Sequence, residues 1–219
     1  MSKFSILMVD DHPIVREGMA LFLNTQPDLD LCHQAGTADE ALAVLCAHRP
    51  ALAIVDISLA KDSGLELIKV MRSRDNALPI LAMSLHDESI FAERALRAGA
   101  NGYLMKHEAT ANILRAVRQV LAGDIYLSVA MHNLLARGMA APAKPQGRWP
   151  SASVSEREFE VLHMLALGFG SRQMSEKLNR SIKTIESHRA SLKRKFGLET
   201  GADLVRFAAR WLDECGPGG

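Results

Sequence analysis

Over the first 125 residues, short apolar runs alternate with stretches of helical periodicity. The runs at 4–9, 29–34, 52–55, 80–83 and 102–105 are read as five strands buried on both faces rather than half-exposed ones. The stretches between them predict helices: one opened by Pro13 in its first turn, then 39–48, 64–74, 88–97 and 110–121. Strict strand–helix alternation is the pattern of an α/β domain with a parallel sheet and crossover helices.

The pattern changes after residue 125. Segment 126–136 reads as a short helix, and 137–153 (RGMAAPAKPQGRWPSAS) holds three of the eight prolines and no periodic apolar face, as a linker does. Beyond it, Ser155 and Glu158 form a capping box that starts a helix running to about residue 167. Gly168 and Gly170 stop that helix, Ser171 is placed to cap a second that buries Met174 and Leu178, and Asn179-Arg180 turns the chain. Ser181 caps a third helix with Ile185, Leu192 and Phe196 on one face, and a fourth spans 202–212. A short helix, a tight turn and a longer basic helix make a helix-turn-helix. The expected organisation is an α/β domain at 1–125, a connecting segment at 126–153 and a small all-α domain of four helices at 154–214.

Composition adds a division of charge. The 219 residues are 48% hydrophobic and carry a net charge of +1, which is ordinary for a globular chain. Residues 1–136 hold 12 Lys+Arg against 16 Asp+Glu, whereas 137–219 hold 14 against 9, so an acidic front precedes a basic back. Cys32, Cys46 and Cys215 are odd in number and lack CxxC spacing, which argues against a disulfide framework or a zinc site and for a reducing cytoplasm. No apolar run reaches the roughly 20 residues of a membrane span, and the N-terminus lacks signal-peptide layout.

The candidate chemistry of the first domain gathers at strand ends. Asp10 and Asp11 end the first strand and Asp56 the third, on the carboxyl edge where open α/β sheets bind ligands. If those strands are neighbours, the three carboxylates converge, and such a cluster is tolerable with a cation or with raised pKa values. An oxygen-only donor set favours Mg2+. Ser84 and Lys106 end the fourth and fifth strands, bringing a hydroxyl and an ammonium to the same edge, a combination that suits a phosphoryl group with Asp56 as nucleophile. Taken singly, each of these residues also reads as a helix cap, a satisfied hydroxyl or a surface lysine; their joint placement carries the inference.

The segments VDDHPIVREG, AIVDISLAKDSGLELI, ILAMSLHDE and GANGYLMK resemble the receiver domain of bacterial response regulators over residues 4–122. The resemblance implies a flavodoxin-like doubly wound five-stranded parallel sheet. It further implies that Asp56 accepts a phosphoryl group from a sensor histidine kinase, that Asp11, Asp56 and the Ser58 carbonyl ligate Mg2+, and that Asp10 holds the ion through water. Ser84 and Tyr103 would be the switch pair. Ala60 and His107 stand where the family commonly has proline.

Residues 180–195 (RSIKTIESHRASLKRK) carry six Lys+Arg against one Glu. At 100° per residue, Leu192 and Phe196 fall within about 20° of Ile185, while Lys183, Ser187, Ala190 and Arg194 lie opposite. That outer face suits a DNA major groove, with Lys183 reaching guanine and Glu186 accepting from cytosine. Arg172, Thr184, Arg189 and Lys193 are candidate phosphate contacts, and His188 reads as packing. SEREFEVL and SIKTIESHR anchor a resemblance over 154–208 to the LuxR-type helix-turn-helix, and the two domains together resemble the NarL/FixJ class of response regulators. That class implies a homodimer on two half-sites of promoter DNA, formed on phosphorylation, with RNA polymerase as a further partner. Leu204, Val205, Ala208 and Trp211 are candidates equally for a dimer seam or for domain core.

Three functions stay open: a phosphorylation-switched DNA-binding transcription regulator, an Asp-nucleophile phosphatase of the haloacid dehalogenase kind, and a phosphorylation-independent binding module. Such phosphatases place a second Asp two residues after the nucleophile, where this chain has Ser58, so the expectation is that the chain is not an enzyme.

Overall fold

The computed structural model describes residues 3–59, 62–85, 88–129, 131–132, 154–178 and 180–215. Ala60, Asn179 and the linker 137–153 lie outside the described residues. The chain divides into two compact units, Met1–Gly138 and Met139–Gly219.

In the first unit five strands, β1 (Phe4–Val9), β2 (Leu29–Ala35), β3 (Leu52–Asp56), β4 (Ile80–Ser84) and β5 (Gly102–Met105), form a parallel sheet in the order β2-β1-β3-β4-β5. Helices α1 (Pro13–Leu23), α2 (Ala38–His48), α3 (Gly64–Arg74), α4 (Glu88–Ala98) and α5 (Ala109–Leu121) are the crossovers. Alternate strand residues (Ile6, Met8, Leu52, Ile54, Leu81, Met83 and Leu104) pack with Leu23 of α1 and with Ile113, Val117 and Val120 of α5. Each such side chain, once buried, stabilises the fold by roughly 1.5–3 kcal/mol.

The chain reversal needed to place Asp10 and Asp56 side by side is met, because β1 pairs with both β2 and β3. Strands β3 and β4 are buried throughout, as their unbroken apolar runs predict. β2 departs from that expectation. Leu29, Leu31 and Ala35 are buried whereas Cys32 and Gln34 are exposed, because β2 is an edge strand with solvent on one side. The short helix expected over 126–136 is present at Val129, Met131 and His132, with Ser128 accepting from the Met131 N–H (3.1 Å); residues 130 and 133–136 lie outside the described residues, and 126–128 are not helical. Tyr126 forms a parallel bridge with Gly102, its N–H donating to Asn101 O (3.0 Å) and its carbonyl accepting from Tyr103 N–H (2.9 Å). A Cβ at Gly102 would lie 2.9 Å from Tyr126, so glycine admits this close approach. Two residues on, the Ser128 N–H donates to the buried Glu88 carboxylate of α4 (2.8 Å).

The second unit holds α6 (Glu156–Ala166), α7 (Ser171–Lys177), α8 (Ile182–Phe196) and α9 (Gly201–Cys215). The capping box at Ser155 and Glu158 is formed as the sequence predicts. Ser181 caps α8 through Thr184 N–H (3.1 Å), and Gly197, at a φ of 65°, ends it. Gly170, not Ser171, occupies the N-cap of α7, with Gln173 accepting from its N–H (2.9 Å). Ser171 is inside the helix, and its hydroxyl donates to Glu186 of α8.

The core of this unit answers the question left open for the last helix. Leu204 and Ala208 are fully buried and Trp211 nearly so, its indole edge-on to Phe159 at 5.2 Å, while Phe207 stacks on Phe196 at 4.3 Å. Leu204, Ala208 and Trp211 are therefore domain core rather than dimer seam, and of the four candidates only Val205 is exposed.

Candidate functional site

At the carboxyl edge of the sheet, Asp10 and Asp56 are buried to 0% and 1% exposure. Lys106, in the single 3-10 turn Lys106–Glu108 after β5, places Nζ 2.7 Å from Asp10 Oδ2 and 2.7 Å from Asp56 Oδ2. Burial pushes the Asp56 carboxyl up, opposed by Lys106 and reinforced by Asp10. Burial pushes the Lys106 ammonium down, but Asp56 and Asp10 outweigh it and hold it above its ordinary value. The lysine is thus kept charged between two carboxylates.

Two backbone features position the acceptor strand. The Ser58 N–H folds back onto Asp56 Oδ1 (2.9 Å), and the Gly64 N–H donates to Ile57 O (3.1 Å). Asp62 accepts from the Ala38 N–H (3.1 Å), tying the loop after β3 to α2. On the other side of the pocket, Arg16 of α1 donates to the Asp10 carbonyl (2.5 Å), clamping the end of β1. Ser84 is fully buried at the end of β4. Tyr103 pairs in register with Ala82, so the Tyr103 and Ser84 side chains share one face of the sheet, two residues apart.

Oxygen donors of Asp10, Asp11 and Asp56 and the His12 ring lie within 4.8 Å of one another. Asp11 Oδ1 is buried yet accepts no hydrogen bond. An unsatisfied carboxylate oxygen in a hard-oxygen cluster fits a divalent cation such as Mg2+, with Asp10, Asp11, Asp56 and the Ser58 carbonyl as the residues able to hold it.

In the second unit, Lys183, Ser187, Ala190 and Arg194 are all exposed on one face of α8, opposite the buried Ile185 and Leu192. Arg172 is exposed beside Glu176. Thr184 and Lys193 are half-buried. Arg189 is only 20% exposed, and it donates to Glu186 Oε1 (3.2 Å) and to the Ser171 hydroxyl. Glu186 and Arg189, expected at a base and a phosphate, thus brace α7 against α8 in the chain free of DNA. His188 is half-buried, and burial lowers its pKa, in keeping with a packing role.

Lys195, counted in sequence among the basic-helix cations, is instead drawn inward to Glu158 Oε2 (2.5 Å). Burial pushes the Glu158 carboxyl up, but hydrogen bonds from Lys195, Ser191 and Ser155 outweigh it and hold it at about 2, against an ordinary 4.5. A depressed carboxyl contributes stability above its unfolded pKa that is lost as pH falls through its folded one. Urea unfolding of the protein should therefore show the second unit losing roughly 2–3 kcal/mol between about pH 5 and pH 2. Glu158→Gln should flatten that dependence; an unchanged slope in the variant would refute the assignment.

Residues that sequence reasoning passed over include His12, Arg16 and Gly64. Their signal was position alone: His12 directly follows two acids, Arg16 lies one helical turn further on, and Gly64 opens the helix after the acceptor.

The response regulator receiver domain family matches residues 6–118, and the luxR family of bacterial regulatory proteins matches 152–208. The chain is 31% identical over 210 residues to oxygen regulatory protein NreC of Staphylococcus carnosus, covering 94% of this chain and 96% of that protein. It is 37% identical over 203 residues to transcriptional activator protein ExaE of Pseudomonas putida, covering 93% and 94%. A solved two-component response regulator of the LuxR family from Aurantimonas sp. SI85-9A1 is 32% identical, with a TM-score of 0.59, over 64% of this chain and all of that one. RcsB of Salmonella typhimurium, 24% identical with a TM-score of 0.57 over 95% of this chain and 99% of that one, shares the fold. A buried carboxylate–lysine constellation at one sheet edge, a helix-turn-helix with an exposed basic face, and matches to both parts over nearly the whole length place this chain in the response regulator family, as a receiver domain followed by a LuxR-type DNA-binding domain.

Proposed function

We propose that the chain is a transcription regulator whose receiver, residues 1–125, is switched by phosphorylation of Asp56, and whose domain at 154–214 binds promoter DNA through α8. The observation that carries this reading is Lys106 bridging the buried Asp10 and Asp56 beside the unsatisfied Asp11 oxygen. Asp56 Oδ attacks the phosphorus of a phosphohistidine on a sensor histidine kinase; the P–N bond breaks and the imidazole leaves. Lys106 stays charged and neutralises the phosphoryl oxygens, and Ser84 donates to one of them. Mg2+, when bound by Asp11, Asp56 and the Ser58 carbonyl with Asp10 assisting through water, supplies further charge neutralisation. Ser84 and Tyr103, on one face of the sheet, carry the change toward α4. The phosphoryl group is a signal rather than a turned-over substrate, so the chain is not an enzyme.

On DNA, Lys183, Ser187, Ala190 and Arg194 face the bases, with Arg172, Thr184 and Lys193 at phosphates, and Glu186 and Arg189 turning from their bracing contacts toward the groove. The phosphorylated chain acts as a homodimer in the cytoplasm, with RNA polymerase as a further partner, and the segment 126–153 tethers the two domains. Among the described residues no helix is long and apolar enough to cross a membrane.

The test is quantitative binding of phosphorylated and unphosphorylated protein to fragments of its own promoter. The phosphorylated form should bind more tightly, and its affinity should fall about a thousandfold between 50 and 200 mM salt if a dimer makes six or more phosphate contacts. Binding that ignores both phosphorylation and salt would refute the reading.

A further inference from the structure

Glu88 is a buried carboxylate for which the phosphorylation chemistry above has no use. It opens α4, four residues after Ser84, and its Oε1 accepts the backbone N–H of Ser128 across 2.8 Å. The contact joins the first turn of α4 to the segment by which the chain leaves the receiver. Tyr126, Leu127 and Met131 of that segment are buried, and the Ser128 hydroxyl accepts from the Met131 N–H.

Two attachments of different kinds hold this segment. At residue 126 it is paired backbone to backbone with the start of β5, through Tyr126 N–H to Asn101 O and Tyr103 N–H to Tyr126 O. At residue 128 it hangs from a side chain of α4. The first partner is a strand that β4 holds along its other border. The second is the end of a helix, joined to Ser84 through residues 85–87 alone. Ser84 and Tyr103 thus reach positions 126–128 by separate routes, Tyr103 through its own N–H and Ser84 through α4.

We propose that the Glu88–Ser128 hydrogen bond is a latch: closed in the unphosphorylated chain, it restrains the tether to the DNA-binding domain, and phosphorylation of Asp56 opens it. When Ser84 donates to a phosphoryl oxygen it draws on the connection into α4. A contact of 2.8 Å ceases to be a hydrogen bond by about 3.6 Å, so a displacement of the first turn by roughly 1 Å is enough. Tyr126, paired to strand backbone, stays in place, which puts the hinge at Leu127. The inference rests on the receiver reading and adds to it the point at which the change leaves the domain.

Amide hydrogen exchange of the full chain, followed by NMR before and after incubation with acetyl phosphate and Mg2+, tests the latch, with phosphoryl uptake read by intact mass. On phosphorylation the Ser128 amide should lose about tenfold or more of its protection while the Tyr126 amide keeps its own. Glu88→Ala should expose Ser128 without phosphorylation and bind promoter fragments more tightly than the unphosphorylated wild type. Glu88→Gln, which keeps an acceptor oxygen, should stay closed. Protection of Ser128 that survives phosphorylation, loss at Ser128 and Tyr126 together, or a Glu88→Ala chain with wild-type protection or promoter affinity would overturn the proposal. The wild-type comparison needs no variant to fold. A wild-type chain that gains no phosphoryl group would overturn the receiver reading itself, whereas one that gains it and keeps Ser128 protected overturns the latch alone.

Discussion

Asp56→Asn will take up no phosphoryl group from acetyl phosphate and Mg2+, while the wild-type chain gains one, as read by intact mass. The amide oxygen is not a nucleophile at phosphorus, and Asp56 ends a strand buried throughout, at 1% exposure, with Lys106 Nζ 2.7 Å away. The shape of the side chain is kept, and burial beside Asp10 already disfavours its charge. The unfolding midpoint of the variant should therefore not fall, and that control separates loss of the nucleophile from loss of the fold. The variant's promoter affinity should stay at the unphosphorylated level. A phosphoryl group on the variant would move the acceptor elsewhere and sink the assignment.

Gly64→Ala will destabilise the receiver by about 3 kcal/mol, the upper range of overpacking costs. A Cβ there would lie 2.0 Å from the Asp56 carbonyl oxygen and 2.5 Å from Ile57 Cα, both backbone atoms that no rotamer change can move. Relief requires shifting the start of α3 away from the acceptor strand, so the rate of phosphoryl uptake should fall along with stability. Gly123→Ala is the comparison. Gly123 has a φ of 91° and nothing within 4 Å of its missing Cβ, so alanine there costs about 1 kcal/mol from backbone strain alone. Equal urea midpoints for the two variants would show that close approach is not what Gly64 provides.

Much of this architecture is written in runs of side chains. Strands buried on both faces, such as β3 and β4, declare themselves because every position is apolar, and acids or a lysine that interrupt such runs at one end stand out against them. What periodicity conveys is that a face is buried, not what buries it. Leu204, Ala208 and Trp211 carry the same amphipathic signal whether they meet a second subunit or Phe159 of their own, and only the fold decides. Polar residues are illegible for a related reason. Arg72 of α3 donates to the carbonyls of Asn76 (2.6 Å) and Leu78 (2.7 Å) in the turn before β4, and also to that of Gly99 (2.8 Å) in the turn before β5, which only tertiary packing brings there. Lys195 and Glu158 are 37 residues apart, and charge counting assigns that lysine to the wrong surface.

The bridge between Tyr126 and Gly102 leaves the sheet with unequal borders. On the β5 side, the outward N–H of Tyr103 and carbonyl of Asn101 are already taken by the chain itself. A strand from a neighbouring molecule could extend the sheet only beyond β2, where Asp30 and exposed Gln34 interrupt the apolar positions. Strand-by-strand growth, the route by which unprotected sheet borders recruit copies of themselves into aggregates, is thus closed on one side and discouraged on the other.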